Sequence, residues 1–91
     1  MAASEQRIVN LARADLARRL GASEGEITVR SIEQTDFPDA ALGAPVEDEM
    51  SAQVITPGSR IRLSARGQTY EYRSNGKHLR LVNFNGENLK V

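Results

Sequence analysis

The segment Arg60-Ile-Arg-Leu-Ser-Ala-Arg-Gly-Gln-Thr-Tyr-Glu-Tyr-Arg73 shows the clearest structural pattern in this 91-residue chain. Apolar and polar side chains alternate on both sides of an Arg-Gly-Gln turn, which is typical of two strands with one buried face. The alternating apolar side chains are Ile61, Leu63, Ala65, Tyr70 and Tyr72. The stretch therefore predicts an antiparallel hairpin whose apolar side chains share one face.

Further strands flank this hairpin. Asn75-Gly76 favours a type I′ turn, and the next strand then carries Leu79 and Leu81 on the buried face. Segments rich in β-branched residues precede the hairpin, and Pro57-Gly58 interrupts one of them. The predicted strands cover about 26–34, 51–65, 68–74 and 77–83. Residues 84–91 contain a second Asn-Gly pair and form either another short hairpin or a loose tail.

The N-terminal segment predicts one amphipathic helix over about residues 4–20, because its apolar side chains recur every four residues. That stripe consists of Ile8, Ala12, Leu16 and Leu20. Ser4 is suited to the N-cap, Glu5 to the first turn, and Gly21 to the left-handed position after the last turn. Asp15 and Arg19 are spaced for an ion pair at the edge of the apolar stripe.

The predicted fold is therefore α+β. It is one domain over residues 1–91, with the helix packed on one face of a four-stranded antiparallel meander sheet. The chain has 12 basic and 12 acidic residues and no cysteine, which excludes disulfides, thiolate zinc sites and cysteine nucleophiles. No apolar run is long enough for a membrane span. Because the start lacks a signal-peptide pattern, we expect a cytoplasmic protein, or an exported or lipoprotein-attached one if a leader has been removed.

Several short motifs together resemble a family of small bacterial domains of unknown function. They are Ala12-Arg-Ala-Asp-Leu-Ala-Arg-Arg-Leu-Gly21, Phe37-Pro-Asp39, Leu42-Gly-Ala-Pro45, Gln53-Val-Ile-Thr-Pro-Gly58, Arg60-Ile61 and Tyr70-Glu-Tyr72. Members usually carry Trp where this chain has Phe37, often carry Cys where it has Ala44, and are frequently exported or attached to lipoproteins. The resemblance implies no established activity and no catalytic residues. The helix-then-sheet order is also similar to PepSY-type domains, which are associated with peptidase propeptides and inhibition.

Candidate catalytic and metal-binding residues are few. His78 is the single histidine and is expected at the surface, and no G-x-S-x-G motif supplies a nucleophile beside it. The connection after the first strand is rich in carboxylates, namely Asp36, Asp39, Glu47, Asp48 and Glu49. Their spacing is not that of an EF-hand, so we expect a solvated acidic loop rather than a calcium site. We expect no enzyme activity, no metal and no cofactor.

The connection over about residues 36–50 is long for a compact domain, and such loops are often functional. Phe37, Leu42, Val46 and Met50 are expected to anchor it, while Pro38 and Pro45 stiffen its backbone. A rigid loop lowers the entropy cost of binding, so we expect a protein- or peptide-binding module. Its candidate binding residues are Phe37, Asp39, Leu42 and Pro45. The alternative is that Phe37 and Leu42 only fill one end of the core.

The charges of the chain are unevenly distributed. Residues 1–52 hold five arginines against ten acidic residues, whereas residues 53–91 hold seven basic residues against Glu71 and Glu87. Strand alternation places basic side chains on the face opposite the helix, namely Arg60, Arg62, Arg73, His78 and Arg80. This face is a second candidate site, for an anion or nucleic acid. A solvated face with cross-strand Glu–Arg pairs is the alternative, and the acidic loop of one copy could also meet the basic face of another.

We expect no nucleic-acid partner on balance, because both tyrosines would lie in the core and leave no aromatic platform for stacking bases. The pI near 6.6 agrees with that expectation. The expected partner is an unidentified protein or peptide, and the domain is expected to be a monomer or to self-associate weakly.

Overall fold

A computed structural model of the chain describes residues 3–47 and 49–91, with side chains from residue 6 onward apart from residue 48. The elements in chain order are α1 (Ala3–Leu20), a 3-10 turn (Glu24–Glu26), β1 (Thr28–Phe37), β2 (Thr56–Ala65), β3 (Gln68–Ser74), β4 (Leu79–Phe84) and β5 (Glu87–Lys90). The α+β class is confirmed, as is the order of one helix followed by an antiparallel sheet. The predicted count of four strands is wrong, because the sheet has five in the order β1-β2-β3-β4-β5.

The helix ends as its sequence predicts. Gly21 adopts a left-handed φ of 66°, and the Ala22 N–H donates to the Ala17 carbonyl at 2.9 Å. The Gly21 N–H donates to the Arg18 carbonyl, which completes a Schellman motif. The predicted cap at Ser4 and first-turn role of Glu5 concern side chains that lie outside the described residues. No helix in the described part of the chain has the length and apolar character that crossing a membrane requires.

The central hairpin forms in the predicted register. Ile61 pairs with Tyr72 and Leu63 pairs with Tyr70, so these side chains share one face. The turn between the two strands is Arg66-Gly67, and both residues have positive φ, as a type I′ turn requires. The same face continues through Leu81, which pairs with Tyr72.

The predicted type I′ turn at Asn75-Gly76 is wrong. Ser74 pairs with Leu79, so four residues rather than two connect β3 and β4. The Asn75 side-chain oxygen accepts hydrogen bonds from the Lys77 and His78 N–H groups. An asparagine side chain that binds backbone in this way stabilises a wider turn than the tight hairpin that the Asn-Gly pair favours.

Several strand boundaries differ from the predicted ones, including those of β4, which spans Leu79–Phe84 rather than about 77–83. β1 runs through Phe37, and Glu26 lies in the 3-10 turn rather than in a strand. β2 begins at Thr56, so residues 51–55 belong to the connection. Pro57 lies inside β2 and pairs with Asp36. The β2–β3 pairing ends at Ser59, so Pro57 sits where only one neighbouring strand is present and its missing N–H is tolerated.

Residues 84–91 form a hairpin with the end of β4 rather than a loose tail. Asn85 and Gly86 both have positive φ, which makes the second Asn-Gly pair a type I′ turn. β5 then pairs with β4 through Leu81↔Leu89 and Arg80↔Lys90. The irregularity in this ladder lies between Leu81 and Phe84, where Asn83 has a φ of 52°.

One continuous core lies between α1 and the sheet. Ala12, Leu16, Ile61, Leu63, Tyr72 and Leu81 have no solvent exposure. This list contains two members of the predicted helix stripe and four of the predicted sheet face. The expectation that the helix packs on the apolar sheet face is therefore confirmed.

Asp15 is a polar residue inside this core, with 2% of its surface exposed. Its carboxylate accepts hydrogen bonds from the Tyr72 hydroxyl at 2.7 Å and from Arg19 Nε at 2.8 Å. Arg18 Nη2 donates a third at 2.9 Å. Burial and the neighbouring carboxylate raise the pKa of Tyr72 far above its ordinary value. The predicted Asp15–Arg19 pair exists, but it belongs to a buried network rather than to the edge of the stripe.

Candidate functional site: the loop on the outer face

The loop, defined here as residues 38–55, joins β1 to β2 and folds back over the sheet face opposite the helix. We call that face the outer face. The neck of the loop continues the β1–β2 pairing, because Phe37 pairs with Thr56 and the Ala40 N–H donates to the Ala52 carbonyl at 3.0 Å. The loop therefore leaves the sheet as an irregular extension of a hairpin.

Asp39 shapes the turn that follows. Its Oδ1 accepts hydrogen bonds from the N–H groups of Ala41 at 3.0 Å and Gly43 at 2.9 Å. Leu42 and Gly43 both have left-handed φ values, 60° and 66°. This conformation costs a leucine energy that a glycine does not pay, so the surrounding contacts must hold it. The Asp39 carboxylate thus binds backbone N–H groups of this turn.

The side chains of Phe37 and Leu42 are buried, with 2% and 0% of their surfaces exposed. The Arg73 guanidinium lies 5.4 Å from the centre of the Phe37 ring, a cation–π distance. Arg73 Nη1 also donates to the Leu42 carbonyl at 2.9 Å. Two of the four candidate binding residues are thus buried beneath the loop, on the sheet face opposite the helix. They are not members of the core between α1 and the sheet, and neither side chain faces solvent.

Arg80 anchors the far part of the loop. Its side chain is 5% exposed, and Nη1 and Nη2 each donate to one Glu49 carboxylate oxygen at 2.5 Å. Nη1 also donates to the Ala44 carbonyl at 3.3 Å. These hydrogen bonds from Arg80 lower the pKa of Glu49 to about 2, and the Glu49 carboxylate raises the pKa of Arg80. Lys90 Nζ lies 3.7 Å from the same carboxylate.

The predicted row of basic residues does share the outer face. Arg60 pairs with Arg73, and Arg73 pairs with Arg80. However, the expectation of a solvated face is wrong for Arg80, because the loop covers it. The predicted place of His78 in this row is not observed either, since His78 lies in the turn before β4.

Glu71 neutralises much of the remaining row. Its carboxylate lies 2.7 Å from Arg73 Nε, 3.4 Å from Arg60 Nε and 3.7 Å from Arg62 Nε. Arg62 also pairs with Glu33 of β1 at 3.2 Å. The Arg60 contact lacks hydrogen-bond geometry, so it is a purely electrostatic one. The cross-strand Glu–Arg pairs expected from the sequence are therefore present.

Three large apolar side chains of the loop are exposed, which the sequence did not predict. Met50 is 97% exposed, Ile55 69% and Val54 53%. Met50 is not the apolar anchor that its loop position suggested. Val54 and Ile55 have strand-like sequence but precede β2, because β1 ends at Phe37 and offers them no partner. Pro45 is exposed as well, and its carbonyl accepts a hydrogen bond from Asn88 Nδ2 at 3.0 Å.

A groove of about 320 Å³ lies between the loop and the last two strands. One wall consists of loop residues that include Met50 and Ala52, and the other includes His78 and Lys90. Its polar and apolar surfaces are mixed. The Arg80–Glu49 pair also lines the groove and closes the loop against the sheet.

No group of three or more His, Asp or Glu side chains converges on a possible metal position within residues 3–47 and 49–91. Asp39 and Glu49 are each engaged within the loop, by backbone N–H groups and by Arg80 respectively. Asp48, which belongs to the same acidic run, lies outside the described residues.

A family model described as Domain of unknown function (DUF8738) matches residues 9–82 of the chain. The match runs from the helix through most of β4 and includes the whole loop. Among curated proteins and among solved structures nothing matches the chain.

Proposed function

The chain belongs to the family described as Domain of unknown function (DUF8738), and we propose that it is a protein-binding module whose binding element is the loop. The single observation that supports this most is the exposure of Met50, Val54 and Ile55 within six residues of chain. Several large apolar side chains exposed on one short segment of a small domain are a feature of interaction sites when they form a contiguous patch. The proposed binding element is thus still the loop, but the proposed contact residues are Met50, Val54 and Ile55 at its exposed end instead of Phe37 and Leu42 at its buried start.

The anchoring of the loop supports the same proposal. Arg73 holds the Leu42 carbonyl and Arg80 holds Glu49, so the first part of the loop is fixed to the sheet. A fixed loop loses little conformational entropy when a partner binds. In this arrangement Phe37 and Leu42 are buried against the sheet and Asp39 shapes the turn. Pro45 is exposed but contacts Asn88 of β5.

The class of partner follows from the earlier resemblance. The helix-then-sheet order is similar to PepSY-type domains, which are associated with peptidase propeptides and inhibition. A peptidase is therefore the first class of partner that we would test, with inhibition of cleavage as the readout.

An anion or nucleic-acid interface on the outer face is the second candidate. It is the weaker of the two, because Glu71 and Glu33 lie against Arg60, Arg62 and Arg73, while Glu49 pairs with Arg80. An anionic partner would have to displace these carboxylates. Its binding would weaken steeply with salt, whereas binding through apolar side chains would not.

The proposal is tested by affinity capture from a lysate of the source organism in about 0.1 M and 1 M salt, which screens exposed charges over about 10 Å and 3 Å respectively. The baits are the unaltered domain and the variant Val54→Ser/Ile55→Ser. We expect a partner that is retained at both salt concentrations and lost with the variant. Its direct binding is then measured with purified proteins.

Leu11→Ser is the matched control, because Leu11 is 47% exposed but lies on the helix. It removes a similar apolar side chain from the other side of the molecule and should keep the partner. Equal capture by all three baits would contradict the proposal. So would a partner recovered only at low salt and lost in Arg62→Glu, which would favour the second candidate.

A further inference from the structure

The end of the sheet opposite the loop carries a row of three hydroxyl groups on the outer face. Ser64 pairs with Thr28 of β1 and with Thr69 of β3, and it lies between Leu63 and Ala65, which are core residues. Successive side chains of a strand alternate between faces, and paired residues share a face. Thr28, Ser64 and Thr69 therefore line up across three strands on the outer face, with neighbouring strands about 5 Å apart.

An irregularity in β1 places Arg30 beside this hydroxyl row. The β1–β2 register shifts between Val29 and Ser31, so Arg30 is the extra residue of a β-bulge. A bulge redirects the side chain of its extra residue, and Arg30 Nε donates to the Ser64 hydroxyl at 2.9 Å. Among the residues that the structure describes, no other acceptor binds Arg30, so its two terminal nitrogens remain free to donate to a ligand.

Arg30 differs from the other arginines of the outer face strands in its lack of a carboxylate partner. Each of the others lies against at least one glutamate, namely Arg60, Arg62, Arg73 and Arg80. No carboxylate in the described part of the chain forms an ion pair with Arg30. Its charge therefore has no direct counter-ion.

A second groove, of about 320 Å³ and mainly polar, opens beside Arg30 and the hydroxyl row; we call it the Arg30 groove. Its other charged residues are Arg66 and Glu26, which offset each other, because Arg66 Nε lies 3.6 Å from the Glu26 carboxylate. Glu26 also accepts a hydrogen bond from the Ser23 N–H at 2.9 Å. Arg66 Nη1 donates to the Leu20 carbonyl at the end of α1 at 3.0 Å. The net charge of the lining is thus that of Arg30.

We propose that the Arg30 groove binds the phosphate group of a phosphate monoester. A guanidinium group fits a phosphate because its parallel N–H groups can donate to two phosphate oxygens at once. A third oxygen would accept from the hydroxyls of Thr28 and Thr69, which are both exposed, while Ser64 keeps Arg30 in place. A carboxylate has only two oxygens and would leave these hydroxyls unused. The inference goes beyond the proposed function, since the groove shares no residue with the loop.

The first test titrates inorganic phosphate, acetate and a phosphoserine with blocked termini into the ¹⁵N-labelled full chain at constant pH and ionic strength. We expect saturable shifts of the Arg30 Nε signal and of the Thr28, Ser64 and Thr69 amides, with phosphoserine binding most tightly. Acetate should bind at least about tenfold more weakly. Tighter binding of inorganic phosphate would overturn the assignment to a monoester. No saturable shift up to about 10 mM phosphoserine, or equal binding of acetate, would overturn the site.

Arg30→Gln should weaken phosphoserine binding about tenfold or more, because it removes the charged donor. Arg7→Gln is the matched control, since it makes the same change at an exposed arginine of α1 and should leave binding unchanged. Equal weakening by both variants would overturn the inference, because it would reflect overall charge only. Arg30→Lys keeps the charge but not the parallel donors, so unchanged binding in that variant would overturn the bidentate contact.

Two further outcomes separate the Arg30 groove from the other surfaces of the domain. Shifts centred on Arg60 and Arg62 that persist in Arg30→Gln would overturn the inference and favour an anion site among the arginines that are paired with glutamates. Val54→Ser/Ile55→Ser should keep phosphoserine binding in full, even if it loses a protein partner. Loss of phosphoserine binding in that folded variant would place the ligand at the loop and would overturn the inference as well.

Discussion

The helix covers one face of the sheet mainly with apolar side chains, whereas the loop covers the outer face with buried side chains such as Leu42 together with two arginines of the sheet. Under the helix, burial of groups such as Leu16 and Ile61 is non-directional and removes a large apolar area from water. Under the loop, Arg73 and Arg80 make directional contacts to a carbonyl and a carboxylate. Apolar burial couples all residues of the core, whereas a hydrogen bond or ion pair under the loop can break while the core stays folded. We therefore expect the loop to open without unfolding of the sheet.

Leu16→Ala should have the largest effect, because Leu16 is fully buried in the shared core. Truncation of such a leucine lowers the free energy of unfolding by about 2–5 kcal/mol. Leu42→Ala removes an equally buried leucine from under the loop. Its cost is limited by the free energy of loop docking, so we expect a smaller loss of about 1–2 kcal/mol. Urea denaturation of both variants measures the difference.

Hydrogen exchange tests whether the two layers are separate. In Leu42→Ala the amides of Ala40 and Gly43, which are hydrogen-bonded within the loop, should exchange faster. The amides of the β2–β3 ladder should be unchanged. Equal acceleration in both regions would show that the loop and the core unfold as one unit.

Glu49→Gln should have the next largest effect on the free energy of unfolding. The substitution removes the charge that faces the buried Arg80 guanidinium and should lower stability by about 2 kcal/mol. Because the pKa of Glu49 falls from an ordinary 4.5 to about 2 in the folded chain, the contribution of the carboxylate is present above pH 4.5. It is lost as the pH falls from there through about 2.

The measurement is the pH dependence of exchange at the loop amides. The unaltered domain should lose protection of the loop between these two pH values, whereas Glu49→Gln should begin with low protection and change little. The pKa of Glu26 is also lowered, by the Ser23 N–H and by Arg66. Because both proteins contain Glu26, the difference between their pH profiles reports the titration of Glu49. Identical pH profiles would contradict the assignment of the lost protection to Glu49.

The contrast between the faces also explains how much of the molecule its sequence predicts. Alternation places Ile61 and Tyr72 on the helix side and Arg60, Arg73 and Arg80 on the other, and the strand register agrees. Periodicity states which way a side chain points, but it does not state what covers it. An arginine at the Arg80 position therefore looks solvated, although the loop buries it through contacts more than thirty residues away.

Two features of the loop cannot be predicted from its sequence for a related reason. Residues 51–55 have strand-like composition, but a strand needs a paired neighbour, and β1 ends at Phe37, opposite Thr56. The exposure of Val54 and Ile55 is thus a tertiary property. Asp15 shows the same limit on the other face, because helix spacing predicts its bond to Arg19 and cannot predict its bond to Tyr72, which is 57 residues away.

Tyr72→Phe tests the helix side of the sheet. The variant keeps the buried ring and removes only the hydroxyl that donates to Asp15 at 2.7 Å. Asp15 keeps its two arginine partners, so we expect a loss of about 1–2 kcal/mol in the free energy of unfolding. This loss should be global, with loop and ladder amides affected alike. An effect confined to the loop would contradict the separation of the two layers.

Arg62→Ala should have the smallest effect. Arg62 and Glu33 are 43% and 47% exposed, and water already screens their contact at 3.2 Å. Exposed pairs of this kind contribute about 0–1 kcal/mol, so the variant should be close to the unaltered domain in urea denaturation. A double-mutant cycle with Glu33→Ala isolates the pair energy from the loss of the Arg62–Glu71 contact. A coupling energy above that range would contradict this expectation. The exposed Arg62–Glu33 pair would then contribute as much as the buried Arg80–Glu49 pair. Burial under the loop would in that case not explain the difference between Arg62 and Arg80.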